Sequence, residues 1–327
     1  MSVRSINPLL ISLLSGESLN DIPAFPSISN LPGKHVKFVN KNLGKIDSPH
    51  KATMSYLVCG NCNKKAKYNV GFITINAHKF NKDAENIDNH IQTTGYFRCK
   101  GCNSASAWQL TSEFKLMITV AVLTNSVSDD DRLAFGENRL YDGSVHRYAT
   151  DAEEYLLQKI SESEDDAFIW NRLGNLYFKG NRADLAVVAF ERSLELDPMQ
   201  TESLFSLGSI LLQVGKKEEA LIYYYKTLLS ACDYQHLDAL PLRDLLTNVL
   251  HDILYMYFES DRKISIIPPI ELIRSYRGEN IESDDKTLER MNFDISPDDF
   301  ESFYPIAEMY MRDRKLEIPK KKRTFKS

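Results

Sequence analysis

The chain has 327 residues, 43 per cent apolar and 26 per cent charged, which excludes wholesale disorder and a fibrous class and leaves room for two domains of about 100 to 200 residues each. The net charge of -5 hides an asymmetry: residues 31–115 carry 13 Lys or Arg against 5 Asp or Glu, whereas residues 151–234 carry 8 against 15. A basic module followed by an acidic one is expected.

Near the start, Pro8-Leu-Leu-Ile-Ser-Leu-Leu14 is apolar but far shorter than a membrane span. No small-residue cleavage site follows it, so neither a secretory signal nor a membrane partner is expected, and a cytoplasmic location is. Asn7 as cap, Pro8 in the first turn and Gly16 as stop predict a short amphipathic helix that docks on the body of the protein. Residues 1–53 are read as this helix and a lead-in.

Cys59, Cys62, Cys99 and Cys102 form C-x2-C-x36-C-x2-C. Two cysteines separated by two residues can both point inward from one tight turn, and two such turns face to face place four thiolates at tetrahedral corners. Gly60, Gly101, Asn63 and Asn103 are residue types that tolerate the left-handed backbone of a tight knuckle. Alternation at Ala66, Tyr68, Val70 and Phe72, and again at Trp108, Leu110, Phe114, Leu116, Ile118, Val120 and Val122, predicts flanking strands. The segment resembles a zinc ribbon, read as a β domain over 54–125 with the extra length of its gap in a polar hairpin tip near 79–94. Disulfides would need an oxidising compartment, and an iron site of rubredoxin type uses the same cage. One structural zinc ion is expected, because a closed four-thiolate cage leaves no position for substrate. Cys232 is expected to be a buried small residue and His78 and His90 exposed loop residues, none of them ligands.

Residues 126–149, which include Ser126, Ser128 and Asp129-Asp-Asp131, are read as a linker. Beyond it lies an internal repeat with an offset of 34 residues, beginning at 167 and 201. Trp170, Leu173, Gly174, Tyr177, Ala186, Phe190 and Pro198, followed by Leu204, Leu207, Gly208, Leu211, Ala220 and Tyr224, give the spacing that resembles tetratricopeptide repeats. Gly174 and Ala186 are small enough for paired helices to approach closely, and Gly180 and Gly215 end the first helix of each pair. A preceding half-unit is expected from Ala152 and Leu156, in a helix entered through the capping box Thr150-Asp-Ala-Glu153. A closing helix is expected from the stripe Leu242, Leu246, Val249, Leu250 and Ile253, so the array spans 150–260 and ends before Pro268-Pro269. In 261–327, Ser296 and Pro297 are expected to start a helix with Phe300, Phe303, Ala307 and Tyr310 on one face, before a solvated basic tail at Lys320–Lys326.

The fold class is thus α+β multidomain, a β-rich zinc ribbon followed by an all-α repeat array. No nucleophile elbow, phosphate loop, dinucleotide fingerprint or metalloprotease helix is found, and a non-enzymatic scaffold is expected. The repeat resemblance implies a protein or peptide partner in a groove lined by the first helix of each unit. That places Asn171, Arg172, Asn175 and Lys179 of the first copy, with Phe205 and Ser209 of the second, at the contact. The alternative is nucleic acid on the basic ribbon, through Lys64, Lys65, Lys67 and Lys100 among aromatic residues, although Tyr68 and Trp108 lie on the parity that faces the core.

Overall fold

In the computed structural model, which describes residues 5–82, 84–105, 107–124, 131–277 and 293–324, the chain divides into two compact units, 1–196 and 197–327. The first opens with α1 (Pro8–Ser15), where Asn7 accepts from the Leu9 amide and Gly16 closes the helix at φ 74°. Leu10 and Ile11 are buried, and α1 packs on α5 (Ala149–Glu162) as the docking expectation requires. A second short helix, α2 (Val36–Lys41), lies on α7 (Ala183–Leu196).

Two small sheets follow the lead-in. In the first, β1 (Met54–Cys59) pairs antiparallel with β2 (Lys65–Asn69) on one side and β5 (Trp108–Leu110) on the other. The long gap between the cysteine pairs is more structured than a polar tip. It runs through β3 (Ile73–Ile75), α3 (Ala77–Lys82), a 3-10 turn and β4 (Ile91–Thr93), which returns antiparallel to β3. Where a linker is expected, β6 (Leu133–Phe135) instead joins β3 in parallel register, Ile73 beside Leu133. Ser126, Ser128, Asp129 and Asp130 lie outside the described residues, and Asp131 pairs with Lys51.

The long strand expected after the second knuckle is a correction. Only Trp108–Leu110 is extended, and the chain then turns into α4 (Ser112–Thr124). Thr111 starts the helix, its hydroxyl accepting from the Phe114 amide at 3.4 Å and its carbonyl from the Lys115 amide at 3.0 Å. Phe114, Ile118 and Ala121 turn inward at helical spacing, while Leu116, Val120 and Leu123 are exposed.

The first unit ends in α5, α6 (Ala167–Lys179) and α7, packed in succession. Ala152 and Leu156 are buried as a preceding half-unit requires. The predicted capping box is displaced: the cap is Tyr148, whose amide donates to Asp151, while Thr150 donates to the Ala105 carbonyl and Glu153 is buried.

In the second unit, α8 (Thr201–Gln213) and α9 (Lys217–Ser230) form a hairpin, closed by the long α10 (Ala239–Glu259) with Leu242, Leu246, Val249, Leu250 and Ile253 inside. Pro268 and Pro269 precede α11 (Ile270–Arg277). The C-terminal helix starts later than expected, as a 3-10 turn at Phe300–Phe303 and then α12 (Tyr304–Met311), because Asp299 caps the Glu301 amide. Phe303, Ala307 and Tyr310 join the core formed with α10, whereas Phe300 stays partly exposed. Arg243 pairs with buried Glu308 at 3.0 Å and donates to the Lys322 carbonyl, which ties the base of the tail while the side chains of Lys320, Lys321 and Lys322 stay exposed. Among the described residues no helix is long and apolar enough to cross a membrane.

Candidate functional site

The two cysteine knuckles are built alike. In each, the amide of the first cysteine donates to a carbonyl five residues on and its carbonyl accepts from the asparagine four residues on: Cys59 with Lys64 (3.1 Å) and Asn63 (2.8 Å), Cys99 with Ser104 (2.8 Å) and Asn103 (2.9 Å). Asn63 and Asn103 take the left-handed position at φ 57° and 56°. Gly60 and Gly101 do not; Gly60 is glycine for want of space, whereas the nearest neighbour of Gly101 is the movable arm of exposed Lys64. A Cβ at Gly60 would meet the Ala107 carbonyl, and one at Gly101 would sit 2.8 Å from Lys64 Cδ and 3.3 Å from Cys62 Sγ.

The four sulfurs lie within 4.8 Å of one another, with Cys59–Cys102 at 3.8 Å and Cys62–Cys99 at 3.5 Å. A tetrahedral zinc cage with metal–sulfur bonds of about 2.3 Å has edges of roughly 3.8 Å, so the donor set fits such an ion. Burial raises the Cys59 thiol, whereas Cys99 is brought down to about 7 as the amides of Gly101 and Cys102 outweigh its own burial. Among the described residues no histidine joins the cluster: His78 is exposed, and His90, contrary to expectation, is buried. Cys232 is only half-buried, at 3.3 Å from an Asp233 oxygen.

The second knuckle has supports that the sequence did not reveal. Arg98, next to Cys99, donates through Nε to the Asn103 carbonyl at 2.9 Å and through Nη1 to Glu153 at 2.7 Å and Glu154 at 3.0 Å. Glu153 also accepts from Tyr96 (2.9 Å), Tyr177 (2.7 Å) and Asn7 (3.2 Å). Burial pushes the Glu153 carboxyl up, against the pull of Arg98. Asn103 donates in turn to the carbonyls of Ile6 and Ala24, so one loop holds the cysteine cluster, α5, α6 and the N-terminal segment together. The available signals were an arginine abutting a knuckle cysteine and a repeat tyrosine whose hydroxyl had to find a partner once buried.

On α6 the polar stripe is folded onto itself. Asn171 is fully buried, and its Oδ1 accepts from Arg172 Nη2 at 2.6 Å and Asn175 Nδ2 at 3.1 Å. Asn171 therefore orients its neighbours, and Arg172, Asn175 and Lys179 are left with surface to offer. Asn181, at φ 60°, takes the left-handed turn expected of Gly180, where a Cβ would lie 2.8 Å from Tyr96 Cβ. In the second unit Phe205 is half-buried and stacks on Tyr224 at 6.4 Å, beside Ser209. Tyr224 donates to Asp252 at 2.6 Å.

The basic face of the knuckles is largely committed. Lys100 donates to the Lys67 carbonyl at 2.7 Å and lies over Tyr68, and Lys64 reaches the Lys100 carbonyl at 3.4 Å. Tyr68, Phe97 and Trp108 form a buried aromatic cluster, and Tyr96 is also buried. Lys65 alone sits over an exposed ring, Tyr56, at 5.5 Å.

Residues 169–198 and 201–228 match the tetratricopeptide repeat family. Over 61 residues, 19% of this chain, the sequence is 36% identical to a peroxisomal targeting signal receptor of Candida albicans, and the match covers 10% of that protein. The chain thus spans about a tenth of the length of this curated relative. Two tetratricopeptide repeats lie within the helical array that follows the β-rich segment.

Proposed function

We propose that this chain is a non-enzymatic interaction scaffold that binds a protein or peptide through the leading helices of its repeats, while Cys59, Cys62, Cys99 and Cys102 hold one structural zinc ion. The carrying observation is the pair of matched repeats, in which Gly174 and Gly208 pack against Phe190 and Tyr224 and leave α6 and α8 with side chains to spare. Arg172, Asn175 and Lys179 supply cationic and amide groups suited to a peptide backbone or an acidic residue, and Phe205 supplies an apolar contact. A relative named as a peroxisomal targeting signal receptor supports a protein or peptide as the partner class. A closed four-thiolate cage supports a structural role for the metal, whose binding energy would add to folding.

Nucleic acid on the knuckle face is the second reading, favoured by Lys65 over exposed Tyr56. The burial of Tyr68, Phe97 and Trp108 weighs against it, since stacking on bases needs free ring faces. The test is affinity capture with the intact chain from nuclease-treated and untreated extract, repeated with Asn175→Ala, Phe205→Ala after circular dichroism confirms its fold. A partner kept after nuclease and lost with the double variant supports the scaffold. One lost with nuclease and kept by the variant moves the site to Lys64, Lys65, Lys67 and Lys100.

A further inference from the structure

The last turn of α6 opens onto a cavity of about 270 Å³ that the cysteine cluster does not use, walled by the start of α5, the second sheet and the loop after β6. At roughly 30 Å³ per water it has room for about nine waters, the size of one large side chain or a small organic acid. His50, Phe72, Thr93, Leu140, His146 and Lys179 define it, and among the described residues no Asp or Glu lines it.

Two polar groups of its wall, the buried Thr93 hydroxyl and the exposed Lys179 ammonium, are not satisfied by the protein. The Thr93 hydroxyl, on a residue only 5% exposed, has no hydrogen-bond partner. The Lys179 ammonium makes no hydrogen bond or ion pair among the described residues, and it lies close enough to His50 to help burial lower that imidazole's pKa. His146, also lowered by burial, holds Ser144 at 3.0 Å and adds no charge near neutral pH. Arg139 is already taken by Glu137 and by the Gly143 carbonyl at 3.2 Å. The cavity therefore presents one uncompensated positive charge and a buried hydroxyl over an apolar floor, where the Phe72 ring packs on His50 at 5.1 Å.

We propose that this cavity binds a single carboxylate carried on a small apolar or aromatic body, with the carboxylate on Lys179 and Thr93 and the body against Phe72 and Leu140. One cation matches one carboxylate; a phosphate dianion would call for a second. Most of the wall lies outside the repeats, so the inference shares only Lys179 with the scaffold reading and needs no protein partner.

The experiment titrates the full chain with 3-phenylpropionate, its amide, phenyl phosphate and an acetylated, amidated phenylalanyl-glutamate dipeptide, following the imidazole resonances of His50 and His146. The acids should perturb both rings, and both the amide and the Lys179→Met variant should bind roughly tenfold more weakly, as loss of a charged hydrogen bond implies. Thr93→Val, which keeps the side-chain shape, should weaken binding several-fold. Tighter binding of the free acid points to a metabolite and tighter binding of the dipeptide to a chain segment, and either supports the shared chemistry. Equal binding of acid and amide, preference for phenyl phosphate, unchanged affinity in Lys179→Met, or unmoved rings at the solubility limit overturns the proposal. Unmoved rings with a partner captured through Asn175 and Phe205 refute the cavity alone; moved rings with no partner captured refute the scaffold alone.

Discussion

Gly174→Ala adds one methyl group to the repeat core, and the structure says where it goes. An ideal Cβ there would stand 2.6 Å from Phe190 Cδ1 and 2.9 Å from Cζ, and nearer still to Cε1. Carbon atoms settle at about 3.5 to 4.0 Å, so the ring must retreat by roughly 1 Å. It has nowhere to go, because Phe190 is 1% exposed and Leu173, Tyr177 and Ala186 are fully buried. Overpacking of this kind costs about 1–3 kcal/mol, and alanine's better helix propensity returns about 1 kcal/mol. Contacts this short against a ring this enclosed put the cost at the upper end of that range, so the expected net loss is about 2 kcal/mol, rising to about 3 kcal/mol or more for Gly174→Leu. Urea unfolding followed by circular dichroism reads it, with Gly174→Ala, Phe190→Leu as the partner variant. Shortening the ring makes room for the methyl, so the double variant should lose about 1 kcal/mol less than the sum of the singles. Gly215→Ala is the contrast: nothing lies within 4 Å and only the φ of 88° resists, at about 1 kcal/mol and with no coupling to Phe190. Wild-type stability in Gly174→Ala, or strict additivity with Phe190→Leu, would refute the close-packing account.

Elemental analysis of chain purified without chelator should find about one zinc per molecule, lost in Cys59→Ser and in Cys102→Ser; iron in its place, or no metal, contradicts the assignment. Glu153→Ala should cost about 3 kcal/mol, because it leaves the buried Arg98 guanidinium with only the half-exposed Glu154 carboxylate for a counter-charge and strands the Tyr96 and Tyr177 hydroxyls, and limited proteolysis should then open the segment before residue 25. Burial pushes Glu191 up to about 7 from its ordinary 4.5 while it accepts the amides of Lys34 and His35. The folded chain holds that proton more tightly than the unfolded one, so this contribution falls as pH rises from about 4.5 to 7 and is level above. Glu191→Gln should remove that slope, and an unchanged profile of unfolding free energy against pH would contradict it.

The repeats were legible because their packing is local: each glycine and its ring lie 16 residues apart in sequence, as Gly174 and Phe190 or Gly208 and Tyr224 do. The cysteine spacing was legible because the metal chemistry requires it. The segment after the second knuckle was ambiguous, since residues 114, 118 and 122 satisfy both a strand's parity and a helix's turn. Only the Thr111 cap decides between the two. The second sheet was hidden because its strands are three residues long and β6 pairs with a strand 60 residues earlier in the chain. Glu153 was misread for a related reason. A threonine three residues before a glutamate looks like a capping box, and what overrides it is an arginine 55 residues away. The cavity could not be read at all, because His50, Thr93, His146 and Lys179 share no local pattern and meet only through tertiary packing.

The N-terminal segment is held by residues made long after it. Asn7 bonds to Glu153, 146 residues later, the Ser5 carbonyl accepts from Arg182, and the amides of Lys34 and His35 wait for Glu191. At about 5 to 20 residues per second, ribosomal synthesis leaves α1 without its partner for roughly 7 to 30 seconds. During that interval Leu10 and Ile11, fully buried in the finished protein, face water on the nascent chain. A holding chaperone that covered that stretch would have to keep it until α5 emerged, since α1 on its own has nothing to bury Leu10 and Ile11 against.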